Sequence, residues 1–130
     1  IMHKKRDHTQ TSVVLKSQLI GDPELLKNRF VLVPDDIVDT AGTLCAAGDE
    51  LKKYGIKGMI VVATHGVFSH PAFDRINQSD MITKVIVTNT LPQEKNKEKT
   101  NKLEIVDTSE LFATVISRIQ TGGSVSELFD

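Results

Sequence analysis

With 130 residues, 16 basic and 17 acidic side chains and a formal charge of -1, the chain fits one ordinary domain whose core needs no disulfide or metal staple. A balance so close to neutral gives no bulk electrostatic case for nucleic acid or an anionic membrane, and neither is expected as a partner. The single cysteine, Cys45, excludes an internal disulfide and a cysteine zinc site, which favours a reducing, cytoplasmic setting.

The first residues, Ile1-Met2-His3-Lys4-Lys5-Arg6-Asp7-His8, lack the apolar block of a signal peptide, and no apolar run reaches membrane-spanning length. Because Ile1 precedes Met2 and a charge cluster follows at once, the chain is expected to be a piece of a longer protein. Val13-Leu15 and Leu19-Ile20 predict a small β-ribbon, with Gly21-Asp22-Pro23 as the turn leading on from it. Four short, nearly continuous apolar runs then follow: Phe30-Val33, Met59-Ala63, Val85-Thr88 and Leu103-Val106. Such runs suit strands buried on both faces, and their alternation with helical segments predicts an α/β fold with a mostly parallel sheet flanked by helices.

The first helix is read from Leu44, Ala47, Leu51 and Tyr54, with Gly55 as its stop. Gly48 inside it costs roughly 1 kcal/mol relative to alanine, which close packing on the sheet can offset. A second, short helix is predicted from about Pro71 to Asn77. Gln93 to Lys102 is nearly all charged or amide and reads as an exposed loop. The last helix begins near Asp107, with Glu110 giving a capping-box-like start, and carries Leu111, Val115 and Ile119 on one stripe beside Phe112 and Ile116. Gly122-Gly123 end it.

Between the first strand and the first helix lies Val31-Leu32-Val33-Pro34-Asp35-Asp36-Ile37-Val38-Asp39-Thr40-Ala41-Gly42-Thr43-Leu44. A strand that ends in Asp35-Asp36 brings carboxylates to the carboxyl edge of the sheet, where open α/β sheets bind ligands. Ionised carboxylates accept hydrogen bonds from a sugar diol and can orient water on Mg²⁺. Asp39, Thr40, Ala41, Gly42 and Thr43 add backbone amides, two hydroxyls and a glycine that permits close approach, and the positive end of a helix follows. The whole is a cradle for a sugar phosphate. Taken singly, Asp35 and Asp36 also suit a turn, and Thr40 or Thr43 a helix cap.

This string resembles the phosphoribosyl-binding motif of the type I phosphoribosyltransferase fold. Three further stretches narrow the resemblance to the ribose-phosphate pyrophosphokinases, or phosphoribosyl pyrophosphate synthetases: Thr64-His65-Gly66-Val67-Phe68-Ser69-His70-Pro71-Ala72, Val87-Thr88-Asn89-Thr90-Leu91-Pro92, and Ser124-Val125-Ser126-Glu127-Leu128-Phe129. The resemblance implies a Rossmann-like three-layer domain, the C-terminal portion of a two-domain enzyme. It implies transfer of the β,γ-pyrophosphoryl group of MgATP to the anomeric hydroxyl of ribose 5-phosphate. Asp35 and Asp36 would hold the ribose hydroxyls, and Asp39 through Thr43 the 5-phosphate. His3-Lys4-Lys5-Arg6 resembles the start of the family's mobile catalytic loop, here within residues 1–20, and makes Lys4 and Arg6 the catalytic candidates. Ser124, Val125, Ser126 and Phe129 resemble a tail that binds regulatory phosphate or ADP between subunits of a homo-oligomer; a plain packing segment is the other reading.

By the same resemblance the ATP site and the Mg²⁺ ligands lie mainly outside this chain, so the chain alone is expected to be inactive. His8 and His65 lack paired ligand spacing, and no metal site is assigned to them. Pro34 and His70 depart from the family pattern, the latter standing where relatives carry glycine, whereas Asp39-Thr43 keeps it. A phosphoribosyltransferase would share the cradle without needing the Lys4-Lys5-Arg6 cluster. A non-catalytic regulatory subunit would keep the fold alone.

Overall fold

In a computed structural model, residues 2–6, 14–19 and 22–129 of the protein are described, the first two stretches as backbone. Strands β1 (Met2–Arg6) and β2 (Val14–Leu19) pair antiparallel as a two-stranded ribbon. Strands β3 (Phe30–Val38), β4 (Gly58–Gly66), β5 (Ile82–Thr88) and β6 (Leu103–Val106) form one parallel sheet in that order. Helices α1 (Gly42–Lys52), α2 (Ala72–Gln78) and α3 (Glu94–Lys97) connect its strands, and α4 (Ser109–Thr121) follows β6. The expected α/β class is the observed one. No helix among the described residues is long and apolar enough to cross a membrane.

Right-handed crossovers in a sheet of sequential order carry the connecting helices to one face, and burial follows that rule. Val31 and Val33 of β3 are in register with Met59 and Val61 of β4, and Val61 with Val85 of β5. Met59, Val61, Val85 and Val87 are essentially inaccessible and pack with Leu44 and Leu51 of α1 and Ala72 and Ile76 of α2. Each such side chain contributes roughly 1.5–3 kcal/mol by leaving water. Gly48 lets α1 lie flat on this layer, since a Cβ there would stand 3.0 Å from Met81 Cβ and 3.2 Å from Met59 Cε. The opposite face is covered less completely: Leu32 is exposed, and Ile60, Val62 and Ile86 are half-buried.

Several expectations are corrected. β3 does not stop at Val33 but runs through Pro34 to Val38, with Pro34 in register with Val62. β3 is the edge strand of this sheet, where a missing ladder donor costs least. The ribbon is not formed between Val13-Leu15 and Leu19-Ile20. Val14–Leu19 is one strand and pairs with Met2–Arg6 instead, because backbone bonds hold such a ladder and polar Lys16-Ser17-Gln18 need not turn; Val13 and Ile20 lie outside the described residues.

Gln93–Lys102 is not a plain loop. It contains α3, and Gln93 is 3% exposed, donating from Nε2 to Gly66 O at 2.7 Å and accepting from Asn96 Nδ2 at 2.8 Å. Lys102 Nζ donates to Ile76 O and Ser79 O. α4 starts at Ser109, and its N-cap, Thr108, makes no side-chain cap, so no box forms with Glu110. Its apolar stripe is real but uncovered: Leu111, Phe112, Ile116 and Ile119 are exposed. In the loop after β4, Phe68 is left-handed, at φ 51°.

Candidate functional site

The cradle is assembled by β3, the turn after it and the start of α1. β3 carries Asp35 and Asp36 to the carboxyl end of the sheet, where the Asp36 N–H donates to Asp35 Oδ1 at 3.0 Å. The strand end is fixed from the side, because Val38 O accepts from Val67 N–H at 3.0 Å and Phe68 N–H at 3.1 Å. After Asp39 and Thr40 the chain turns at Ala41, which is left-handed at φ 58° and ψ 7°, and α1 begins at Gly42. A non-glycine residue in that region stores roughly 1–3 kcal/mol of strain, a feature that clusters at ligand sites.

The turn encloses a cavity of about 260 Å³ lined by Asp35 through Leu44. That is below the roughly 300–1,000 Å³ of drug-sized sites and suits one small polar molecule. All seven expected residues, Asp35, Asp36, Asp39, Thr40, Ala41, Gly42 and Thr43, meet there. Ala41 has no side-chain oxygen to cap the first turn of α1, and the positive end of the helix lies at a cavity that Asp35, Asp36 and Asp39 also line. The loop is held from outside by Arg75 of α2, whose Nη1 donates to Thr40 O at 2.9 Å.

Cys45 follows in α1, half-buried against the core. Burial, helped by Asp49, holds its thiol above the usual value against the opposing charges of Arg75 and Lys102, so it stays protonated at neutral pH and is no nucleophile. Two of the other family stretches meet along the same edge. His65 Nδ1 is 2.8 Å from Thr90 Oγ1, and Thr88 and Thr90 hydroxyls both donate to Thr64 O, at 2.7 and 3.2 Å. Among the described residues no three His, Cys, Asp or Glu side chains cluster as a metal cage.

Other candidates stand apart. Lys4 and Arg6 are on β1, opposite Ser17 and Val14, with a register shift between Lys5 and Arg6; the Cα atoms of β2 come within 8 Å of α1. Ser124, Val125, Ser126 and Phe129 follow α4, where Arg118 Nη1 donates to Ser124 O at 2.6 Å and meets Glu127 Oε2 at 3.2 Å. None of the four lines the cavity. Arg75 was not singled out from the sequence. Its one signal is position: a basic residue on the helix after β4, the strand beside the cradle strand.

The chain matches a family described as the phosphoribosyl synthetase-associated domain over residues 16–130. Its structure is similar to that of a phosphoribosylpyrophosphate synthetase from Mycobacterium smegmatis, at 33% identity and a TM-score of 0.76 over 94% of this chain. It spans 36% of the length of that synthetase. A match that runs from β2 to the last residues, together with a sheet shared at one-third identity, means that the chain belongs to the phosphoribosyl synthetase-associated domain family.

Proposed function

We propose that the chain binds ribose 5-phosphate in the Asp35–Leu44 cavity and forms the acceptor half of a ribose-phosphate diphosphokinase. The observation that carries this reading is the meeting, in one small cavity, of paired carboxylates and a helix start whose N-cap residue, Ala41, makes no side-chain cap. Asp35 and Asp36 accept hydrogen bonds from the 2- and 3-hydroxyls of the sugar. The turn from Asp39 to Thr43 takes the 5-phosphate, with amides, hydroxyls and the dipole of α1 all favouring an anion. Held at both ends, the sugar has its anomeric hydroxyl fixed for attack on a donor, which removes much of the entropic part of the barrier.

In the proposed reaction the bond from the anomeric oxygen to the β-phosphorus of ATP forms as the bond from that phosphorus to the α-phosphate oxygen breaks. AMP leaves, and the hydroxyl proton passes to solvent. Lys4 and Arg6, in residues 1–20, are assigned to the charge on the transferring group. Mg²⁺ is held through one or two carboxylates and substrate phosphates and keeps several waters. Adjacent exposed carboxylates without a third ligand beside them fit that outer role, so Asp35 and Asp36 would hold it through water. When bound, it neutralises phosphate charge. ATP and most metal contacts are assigned to protein beyond this chain, within a homo-oligomer, and Ser124, Val125, Ser126 and Phe129 to regulatory phosphate or ADP.

Titration calorimetry with ribose 5-phosphate tests the reading. The chain is expected to bind it, and Asp35→Ala to abolish the heat, since one sugar hydroxyl pair loses its acceptor. No binding by the unmodified chain would leave a structural subunit as the better account.

A further inference from the structure

We propose that Arg75 is the positioning residue of the cradle: from outside the cavity it fixes the Thr40 carbonyl, aims the amides that follow at a phosphate, and places a permanent cation behind the loop. This inference rests on the ribose 5-phosphate reading. Arg75 Nη1 donates to Thr40 O at 2.9 Å, and a Cβ built on Gly42 would stand 3.1 Å from the same nitrogen. One guanidinium nitrogen thus holds the loop at Thr40 by a hydrogen bond and occupies the space that a side chain at Gly42 would need. Arg75 does not itself line the cavity, so it acts through the loop and not as a direct ligand.

The main chain of Arg75 is tied to the same region. Cys45 Sγ donates to Arg75 O at 3.7 Å, while the Cys45 N–H donates to Ala41 O at 3.1 Å. α2 therefore grips both sides of the left-handed Ala41: the carbonyl before it through the guanidinium, and α1 after it through the thiol. The grip has a reason. Ala41 holds a backbone conformation that relaxes unless its surroundings over-determine it, and the carbonyl of Thr40 is the group that would swing if it did. A carbonyl turned inward would present a negative dipole to the phosphate. Holding that oxygen on a guanidinium keeps it outward and polarises the peptide whose N–H belongs to Ala41. Near the loop, Asp35, Asp36 and Asp39 all carry negative charge, so a cation behind the turn also offsets a field that would repel a dianion. Arginine suits both tasks, since it cannot be deprotonated and keeps several donors in a fixed plane.

The test uses Arg75→Gln and Arg75→Lys in the full chain. With Arg75→Gln the dissociation constant for ribose 5-phosphate is expected to rise about tenfold, the scale of one charge-assisted hydrogen bond. Arg75→Lys, which keeps the charge and one donor, is expected to recover part of that loss, a rescue that a purely structural role would not give. Amide NMR of the unliganded Arg75→Gln variant should show the Ala41 and Gly42 resonances displaced. In the unmodified chain the Arg75 Nε–H resonance should shift when ribose 5-phosphate is added, a measurement that needs no variant to fold. Equal binding by Arg75→Gln and the unmodified chain, or unmoved Ala41 and Gly42 amides, would overturn the proposal. If the unmodified chain binds no ribose 5-phosphate, the ligand reading falls, and the unliganded amide shifts still decide whether Arg75 sets the loop.

Discussion

Two strand-to-helix junctions lie at the same edge of the sheet and differ in how they spend their polar groups. At the junction from β6 to α4, side chains of the chain itself meet the polar groups of the turn. Asp107 Oδ1 accepts from Ser109 N–H at 2.8 Å and from Asn89 Nδ2 at 2.7 Å, and Asn89 Oδ1 accepts from Thr108 N–H and Oγ1, each at 2.9 Å. The carboxylate caps the helix and the asparagine ties it to the end of β5. At the junction from β3 to α1, the place of Asp107 is taken by Thr40 and the N-cap is Ala41, the carboxylates of Asp35, Asp36 and Asp39 come before them, and a cavity lined by all of these opens there. A helix start with its own anion is architecture. One whose N-cap is alanine, beside a small polar cavity, is the junction proposed above to take the phosphate.

The sharpest way to break this contrast is to fill the open junction. Gly42→Val adds a branched side chain whose Cβ would stand 3.1 Å from Arg75 Nη1 and 3.8 Å from Thr40 Oγ1. Ribose 5-phosphate affinity is expected to fall by about a hundredfold, the equivalent of roughly 2.7 kcal/mol, because the loop loses both its close approach and its outside anchor. The same substitution should leave the far-ultraviolet circular dichroism spectrum unchanged, since Gly48 and Leu51, which are buried and seat α1 on the sheet, lie more than a turn beyond the substituted position. Binding by calorimetry within a factor of about three of the unmodified chain would mean that the phosphate does not sit at Gly42.

The closed junction should respond to pH. Hydrogen bonds from the Ser109 side chain, the Ser109 amide and Asn89 hold the Asp107 carboxyl below its usual value of 3.8. A depressed folded value means that this stabilisation is fully present above the unfolded value and is lost as pH falls through the folded one. Asp107→Asn is therefore expected to melt at a lower temperature than the unmodified chain at neutral pH, with the difference closing as the pH falls below 3.8 and through the folded value. Ribose 5-phosphate binding at neutral pH should be unaffected. A melting difference that stays constant from neutral pH into acid would show that the carboxylate's charge is not what caps α4.

The sequence carries the helix-covered side of the sheet plainly, because burial there leaves only apolar side chains, Met59, Val61 and Ala63 at alternate positions of β4 and Val85 and Val87 in β5. It carries the cradle for a different reason. Asp35, Asp36, Asp39 and Gly42 are neighbours along the chain, so a local string is also a local site. What it does not carry is anything held together across the fold. Arg75 reaches Thr40 from another helix, and no pattern around either residue announces the pair. Gln93 looks solvated among lysines and glutamates, yet it is buried because Gly66 O needs a donor at the end of β4. The stripe on α4 has the spacing of a packed face and remains exposed among the described residues; periodicity tells which side of a helix is apolar, not what lies against it.

The smallest expected effect is at Ala41, the strained residue that separates the two kinds of junction. Glycine at this position would relieve a left-handed backbone at φ 58°, a gain of roughly 1 kcal/mol on the scale of such strain. It would also remove a methyl that is 6% exposed, worth roughly 0.8 kcal/mol, and add backbone freedom to the unfolded chain at a cost of similar size. These terms nearly cancel, so Ala41→Gly is expected to change stability by no more than about 1 kcal/mol in either direction, as read by urea unfolding. Its effect on ligand should be slight but in one direction. A glycine turn can leave the conformation that presents the amides, so ribose 5-phosphate should bind about two- to threefold more weakly, the modest cost of lost preorganisation. Tighter binding by Ala41→Gly would mean that the left-handed alanine holds the loop away from its ligand-bound shape, and that the open junction closes on its anion instead of waiting for it.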